Sequence, residues 1–239
     1  MMESFGKFVR RKSEDVGSCL YRKLIYPFVK IGIERKSDSI IGKRVYMFRG
    51  TCLEGADCIG DDAVLANVRV GYSTYIGPGS NISNARIGRD CCIAGLETAI
   101  GRHPAKGENI SVHPAFYSDK AQYGYTYVKD TSFEEVKYTE KDKGISITIG
   151  NDVWIGRGVM ITDGVTVGDG AVIGAKSLVT CDIEPYAIYA GTPAKKIGTR
   201  FDEDTSSKLL ELKWWDKGEA WIKDHAHTFA DPEHFFEEL

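Results

Sequence analysis

Residues 149–179 read IGNDVWIGRGVMITDGVTVGDGAVIGAKSLV, and an aliphatic side chain returns at every sixth position: Ile149, Ile155, Ile161, Val167, Ile173 and Val179. An amphipathic helix needs apolar residues three and four apart. It would also carry Gly150, Gly156, Gly158, Gly164, Gly168, Gly170 and Gly174 in its interior, at about 1 kcal/mol each. Antiparallel strands of ordinary length need a denser apolar pattern and fewer glycines. The pattern that remains is a solenoid of very short parallel strands, turning a corner every sixth residue with the aliphatic side chain inward.

The same rule runs upstream. Ile41, Met47, Leu53, Ile59 and Leu65 are six apart; a five-residue step leads to Val70, Ile76 and Ile82, and another to Ile87 and Ile93. Four positions beyond the inward residue stand Thr51, Ala63, Thr74, Ser80, Cys91, Val153, Val159, Val165, Ala171 and Ser177, all small enough for a narrow prism. This repeat resembles the hexapeptide-repeat acyltransferases, and the resemblance implies a left-handed parallel β-helix. The periodicity itself gives only the inward faces, and the usual crossover preference is right-handed. The expected organisation is an N-terminal cap over 1–39, a β-helix over 40–195 interrupted by an excursion at 101–146, and a helical tail over 196–239.

The 239 residues suffice for one domain with appendages. Lys and Arg number 31 against 34 Asp and Glu, so there is no electrostatic case for a nucleic-acid partner. Cys19, Cys52, Cys58, Cys91, Cys92 and Cys181 show no zinc-knuckle spacing and no secreted disulfide framework; buried free thiols in a reducing compartment are expected, hence a cytoplasmic protein. The opening MMESFGKFVRRK is basic but no long apolar run follows it, so neither a signal peptide nor an integral membrane segment is expected. Short amphipathic segments around Phe5, Phe8 and 18–26, ended by Pro27, are expected to cap the first coil; a peripheral membrane role is the alternative.

Between Gly101 and Ser146 the six-residue rule lapses, in a stretch holding His103 and His113, each before a proline, and seven aromatics from Phe116 to Tyr138. So long an irregular connection calls for a functional or packing reason, an aromatic wall over a site or a subunit interface. The string IGRHPAKGENISVHPAFYS resembles the histidine-bearing excursion of acetyltransferases acting on sugars and xenobiotics, which makes His103 the expected general base. A neutral imidazole removes the proton of a hydroxyl attacking a thioester without any metal. Glu97, Glu108, Asp119 and main-chain carbonyls are open as partners for its second nitrogen. His113 stands where antibiotic-modifying relatives carry an aromatic before proline; it could line the pocket, support His103 or replace it. A zinc pair lacks a third ligand at recognisable spacing.

The stretch from Ile147 to Phe201 resembles the cofactor region of the family. The resemblance implies acetyl coenzyme A as donor, with Trp154 and Gly156 bordering a pantetheine groove, Gly174, Ala175 and Lys176 on its face, and Lys195, Lys196 and Arg200 at the phosphate end. It further implies a homotrimer with sites shared between subunits. Cys181 replaces the Lys that relatives carry before the Asp of CDIEP, which weakens any contact there. In the tail, Asp204 or Thr205 is expected to cap a helix with Leu209, Leu210, Leu212 and Trp214 as its apolar stripe, and WWD resembles the xenobiotic acetyltransferase branch. His225, His227 and His234 offer no closed metal set by sequence, so no metal is expected. The reading is an acetyl-CoA-dependent O-acetyltransferase, with a small-molecule carbohydrate acceptor preferred over chloramphenicol or a streptogramin. A metal-dependent hydratase and a noncatalytic trimeric scaffold are the other classes.

Overall fold

Strand pairing carries the hexad into three dimensions. The computed structural model describes residues 26–107 and 109–239, and the chain winds there as a parallel β-solenoid followed by helices. On one face Ile41 lies over Ile59, then Ile76, Ile93, Ile155 and Ile173, each in register with the next. Another face stacks Leu53, Val70, Ile87, Ile149 and Val167. A third carries Met47, Leu65 and Ile82, and later Ile161 and Val179. Every inward position from Ile59 onward is buried, and the small residues Ala63, Thr74, Ser80, Cys91, Val153, Val159, Val165, Ala171 and Ser177 are buried beside them.

Register fixes coil length. Ile41 and Ile59 are 18 residues apart, three hexads, whereas Ile59 and Ile76 are 17 apart. The missing residue is lost at corners where strands Val64–Val70 and Asn81–Ile87 run straight through. Asn67 and Asn84 make those corners at φ 54° and 50°, a region asparagine tolerates better than most side chains. The Asn67 amide donates to Asn84 Oδ1 at 3.2 Å and to Gly144 O at 3.1 Å, tying the end of the excursion to the coil. Close stacking also explains one glycine outright: a Cβ on Gly77 would sit 2.2 Å from the carbonyl oxygen of Ala94 in the next coil.

Both solenoid ends are covered. Helix α1 (Tyr26–Ser37) lies at the first coil, where Lys30 Nζ donates to Gly42 O at 2.9 Å and Ile33 packs on the core. The helix expected at 18–26 falls outside the described residues except for its last position, and the chain is helical beyond Pro27. Proline is tolerated there because a first-turn N–H has no intrahelical partner. At the far end, strands Ala187–Gly191 and Ala194–Thr199 form an antiparallel hairpin. Helices α2 (Glu203–Leu212), α3 (Glu219–His225) and α4 (Pro232–Glu237) follow. Tyr186, Leu209 and Phe235 form a second cluster there, with Leu210, Leu212, Trp214 and Trp221 against it. The cap of α2 is Asp202, not Asp204 or Thr205: its carboxylate accepts from Thr205 N at 2.8 Å, which places both residues inside the first turn.

The cysteines correct a second expectation. Those described are free, but only Cys91 is buried; Cys52, Cys58 and Cys181 are exposed. Cys52 and Cys58 immediately precede the inward Leu53 and Ile59, so strand alternation turns them outward. Burial pushes the Cys91 thiol up to about 12, which makes it a poor nucleophile at neutral pH.

Asp57 is 1% exposed and accepts from Gly55 N and Thr74 N. Burial still raises its carboxyl to about 7. A folded-state value above the unfolded one means the folded chain holds a proton that the unfolded chain releases, so stability falls as pH rises from about 4 through 7. The full cost at pH above 7 is of order 4 kcal/mol at most. Asp57→Asn should flatten that fall, read by urea unfolding at pH 5 and 7.5; an unchanged slope would remove Asp57 as its source.

Candidate active site

The excursion leaves the solenoid after strand Leu96–Ala99 and rejoins it at strand Ile147–Ile149. Its start is pinned by Arg102 N donating to Glu135 O at 2.8 Å, and its later part by Lys137 N donating to Asp163 Oδ2 at 2.7 Å. Within it Tyr117 is fully buried, while Phe116, Tyr123, Tyr125 and Tyr127 stand out into solvent.

His103 is exposed, and its Nδ1 lies 2.7 Å from the Tyr117 hydroxyl. That hydroxyl in turn donates to Glu135 Oε1 at 3.3 Å. A phenol that gives its proton to a carboxylate accepts from its other neighbour, so His103 carries its proton on Nδ1 and presents a lone pair at Nε2. Glu135 is itself fixed, accepting from Gln122 Nε2 at 2.6 Å with Lys120 Nζ 3.7 Å away. Burial, and then the Glu135 charge, raise the Tyr117 hydroxyl above its ordinary value, which keeps it protonated. The partner is therefore neither Glu97 nor Asp119; Glu108 lies outside the described residues. The signal in sequence was one tyrosine among the seven aromatics, with nothing to mark it as the buried one.

His113 is placed otherwise. Its Nδ1 accepts from Ala115 N at 3.2 Å, capping the turn Pro114–Phe116. Its ring stacks at 16° on Tyr125 and lies 5.5 Å from Tyr123 and 6.4 Å from Phe116. Among the described residues no metal-ligand set includes either His103 or His113. The two histidines flank one turn but do not bond to each other.

The cofactor-side residues are spread along the solenoid. Trp154 is 54% exposed on an outward ladder with Tyr75, Cys92 and Val172. A Cβ on Gly156 would meet Ala175 N at 2.5 Å, and one on Gly174 would meet Ala190 Cβ at 2.9 Å, so coil stacking already requires both glycines. Ala175 and Lys176 are exposed at the following corner, Lys176 with φ 57°. Lys195 and Lys196 are exposed on the terminal hairpin, and Lys196 Nζ reaches Glu184 at 2.9 Å. Arg200 differs: its Nη1 bonds Asp152 Oδ2 at 2.8 Å and Gly170 O at 2.9 Å, and its guanidinium lies over Tyr186 and Phe201. It ties the tail to the solenoid.

A probable macrolide acetyltransferase of Lysinibacillus sphaericus is 39% identical over 132 residues, which cover 54% of this chain and 68% of that protein. The chain belongs to the hexapeptide-repeat acetyltransferases. The bacterial transferase hexapeptide family (six repeats) matches residues 146–181. A chloramphenicol acetyltransferase of Agrobacterium fabrum is 41% identical over 149 residues, 59% of this chain, and the chain spans 64% of that relative's length. A solved galactoside acetyltransferase in complex with coenzyme A is 25% identical, with coverage of 76% and 74% of the two chains and a TM-score of 0.39. No helix among the described residues is long and apolar enough to cross a membrane.

Proposed function

We propose that this chain transfers the acetyl group of acetyl coenzyme A to a hydroxyl of a xenobiotic of the chloramphenicol or macrolide kind. The observation that carries the chemistry is the exposed His103, whose Nδ1 is committed to the Tyr117–Glu135 chain, which leaves the Nε2 lone pair to accept a proton. The acceptor oxygen attacks the thioester carbon as its proton passes to Nε2; collapse of the tetrahedral intermediate expels the thiolate, which takes that proton back. No acyl-enzyme is needed, in keeping with the depth and inertness of Cys91.

The choice of acceptor rests on two supports. The relatives this chain matches include a chloramphenicol acetyltransferase and a probable macrolide acetyltransferase. The preference for a carbohydrate acceptor rests on the HPAKGENISVHPAFYS loop departing from the aromatic pattern of antibiotic-modifying relatives, yet the His113 ring in that loop stacks among Tyr123, Tyr125 and Phe116 as an aromatic would. Acetyl transfer to chloramphenicol, a macrolide, a streptogramin and a panel of sugars, read by product mass alongside thiol release, tests the proposal. Modification of sugars alone would overturn the acceptor class, and thiol release without any acetylated acceptor would overturn the transferase.

Pantetheine would run past Trp154 and the exposed Ala175–Lys176 corner, with phosphates at Lys195 and Lys196. The Tyr75–Cys92–Trp154–Val172 ladder, with Tyr75 and Trp154 exposed, gives a neighbouring subunit an apolar face, which supports a trimer with shared sites. Replacing Lys195 and Lys196 with Gln should weaken coenzyme A binding about three- to tenfold, more at low salt than at high salt, because their attraction is screened. Lys195 should account for most of the loss, since Lys196 already faces Glu184. Affinity that stays constant across the salt series would remove the pair from the phosphate site.

A further inference from the structure

The acetyl-transfer reading leaves three C-terminal side chains unused. His227 Nε2 lies 3.0 Å from Glu238 Oε2 and His234 Nε2 lies 3.3 Å from Glu238 Oε1. One ligand atom from each residue falls within 4.8 Å of the other two. We propose that His227, His234 and Glu238 form a zinc(II) site that clamps the C-terminal helix of this protein.

Local structure puts the ligands there. His234 and Glu238 are four residues apart, one on α4 and the other at its C-cap, so they share a helix face. The start of α4 is fixed by Asp231, which accepts from Glu233 N and His234 N, and its middle by the buried Phe235. His227 comes from the preceding turn Ala226–Thr228, held by the buried Thr228, whose hydroxyl donates to His225 O at 2.8 Å. The two imidazoles are thus presented from separate, anchored elements. His225 is excluded, because its Nδ1 meets Trp221 O and its ring stacks on Trp221.

The donor set fits zinc. Bonds of about 2.0–2.1 Å in a tetrahedron place neighbouring ligand atoms about 3.3–3.4 Å apart. Each imidazole already lies 3.0 or 3.3 Å from one of the two Glu238 oxygens, and with all three ligand atoms within 4.8 Å a small side-chain turn brings both onto one metal ion. Two imidazoles and one carboxylate leave a fourth position for water. The hydrogen bonds that zinc would replace are exposed and contribute little, so they oppose binding weakly. Occupancy has a structural consequence. Between the ligands in sequence come Phe229, Pro232 and Phe235, which form part of the wall of a cavity of about 180 Å³ lined also by Asp152 and Arg200. Zinc would hold that wall against the end of the solenoid.

Full-length chain stripped with a chelator and titrated with zinc chloride tests the site. One equivalent should bind with Kd about micromolar or tighter, with a rise in Tm that a chelator reverses. His227→Ala and His234→Ala should each weaken binding at least about tenfold and abolish the Tm rise, while acetyl transfer by the metal-free protein stays as in the parent. A triple Cys52→Ser, Cys58→Ser, Cys181→Ser variant should retain the site. Undiminished affinity in the folded histidine variants, or loss of binding in the cysteine variant, would overturn it.

Discussion

His103→Ala should lower turnover of acetyl transfer by about 10²- to 10⁴-fold, the usual contribution of a positioned general base, with coenzyme A affinity unchanged. The side chain is exposed and among the described residues makes one hydrogen bond, to Tyr117, so its removal leaves the solenoid intact. Tyr117→Phe provides the companion measurement. It keeps the buried ring against Phe133 and deletes the acceptor for the imidazole Nδ1–H, so turnover should fall by about tenfold with little change in KM. His113→Ala should act differently, raising KM for the acceptor as the aromatic wall loosens. A folded His103 variant that keeps its turnover while the His113 variant loses it would move the base to His113. Loss of turnover in Tyr117→Phe through unfolding alone would show in the melting curve.

What the sequence made legible follows from how far each signal reaches along the chain. The inward stack was legible from Ile41 to Val179 because each coil repeats the same steric demand, and the two five-residue steps already marked the corners at Asn67 and Asn84. Strand alternation also turns Cys52 and Cys58 outward, since each directly precedes an inward aliphatic residue. The His103 environment has no such repetition. Tyr117 and Glu135 reach it through an irregular loop, at separations of 14 and 32 positions, where neither period nor motif constrains the fold. Arg200 looked like any other cation after the GTPA turn, and its commitment to Asp152 comes from a partner 48 residues away. The C-terminal histidines carry no signal in sequence for the same reason: His227 and His234 converge only once a turn and a helix have been laid against each other.

Adjacent residues in one strand should show opposite behaviour, because Trp154 and Ile155 point to opposite sides of the coil wall. Ile155 is fully buried and sits in register between Ile93 and Ile173. Ile155→Ala removes methylenes from a prism whose neighbours are held by main-chain ladders on both sides, so the space cannot collapse. A loss of about 2–5 kcal/mol in unfolding free energy is expected, toward the upper end of that range. Trp154→Ala removes a larger side chain, but one 54% exposed, and should change stability of the isolated chain by about 1 kcal/mol or less. Its effect should fall on coenzyme A binding and on assembly of subunits. Urea unfolding of both variants, with affinity measured in parallel, separates the two roles. Equal destabilisation by both would mean that Trp154 is buried against a neighbour in the working protein, and would shift its duty from the cofactor groove to the subunit interface.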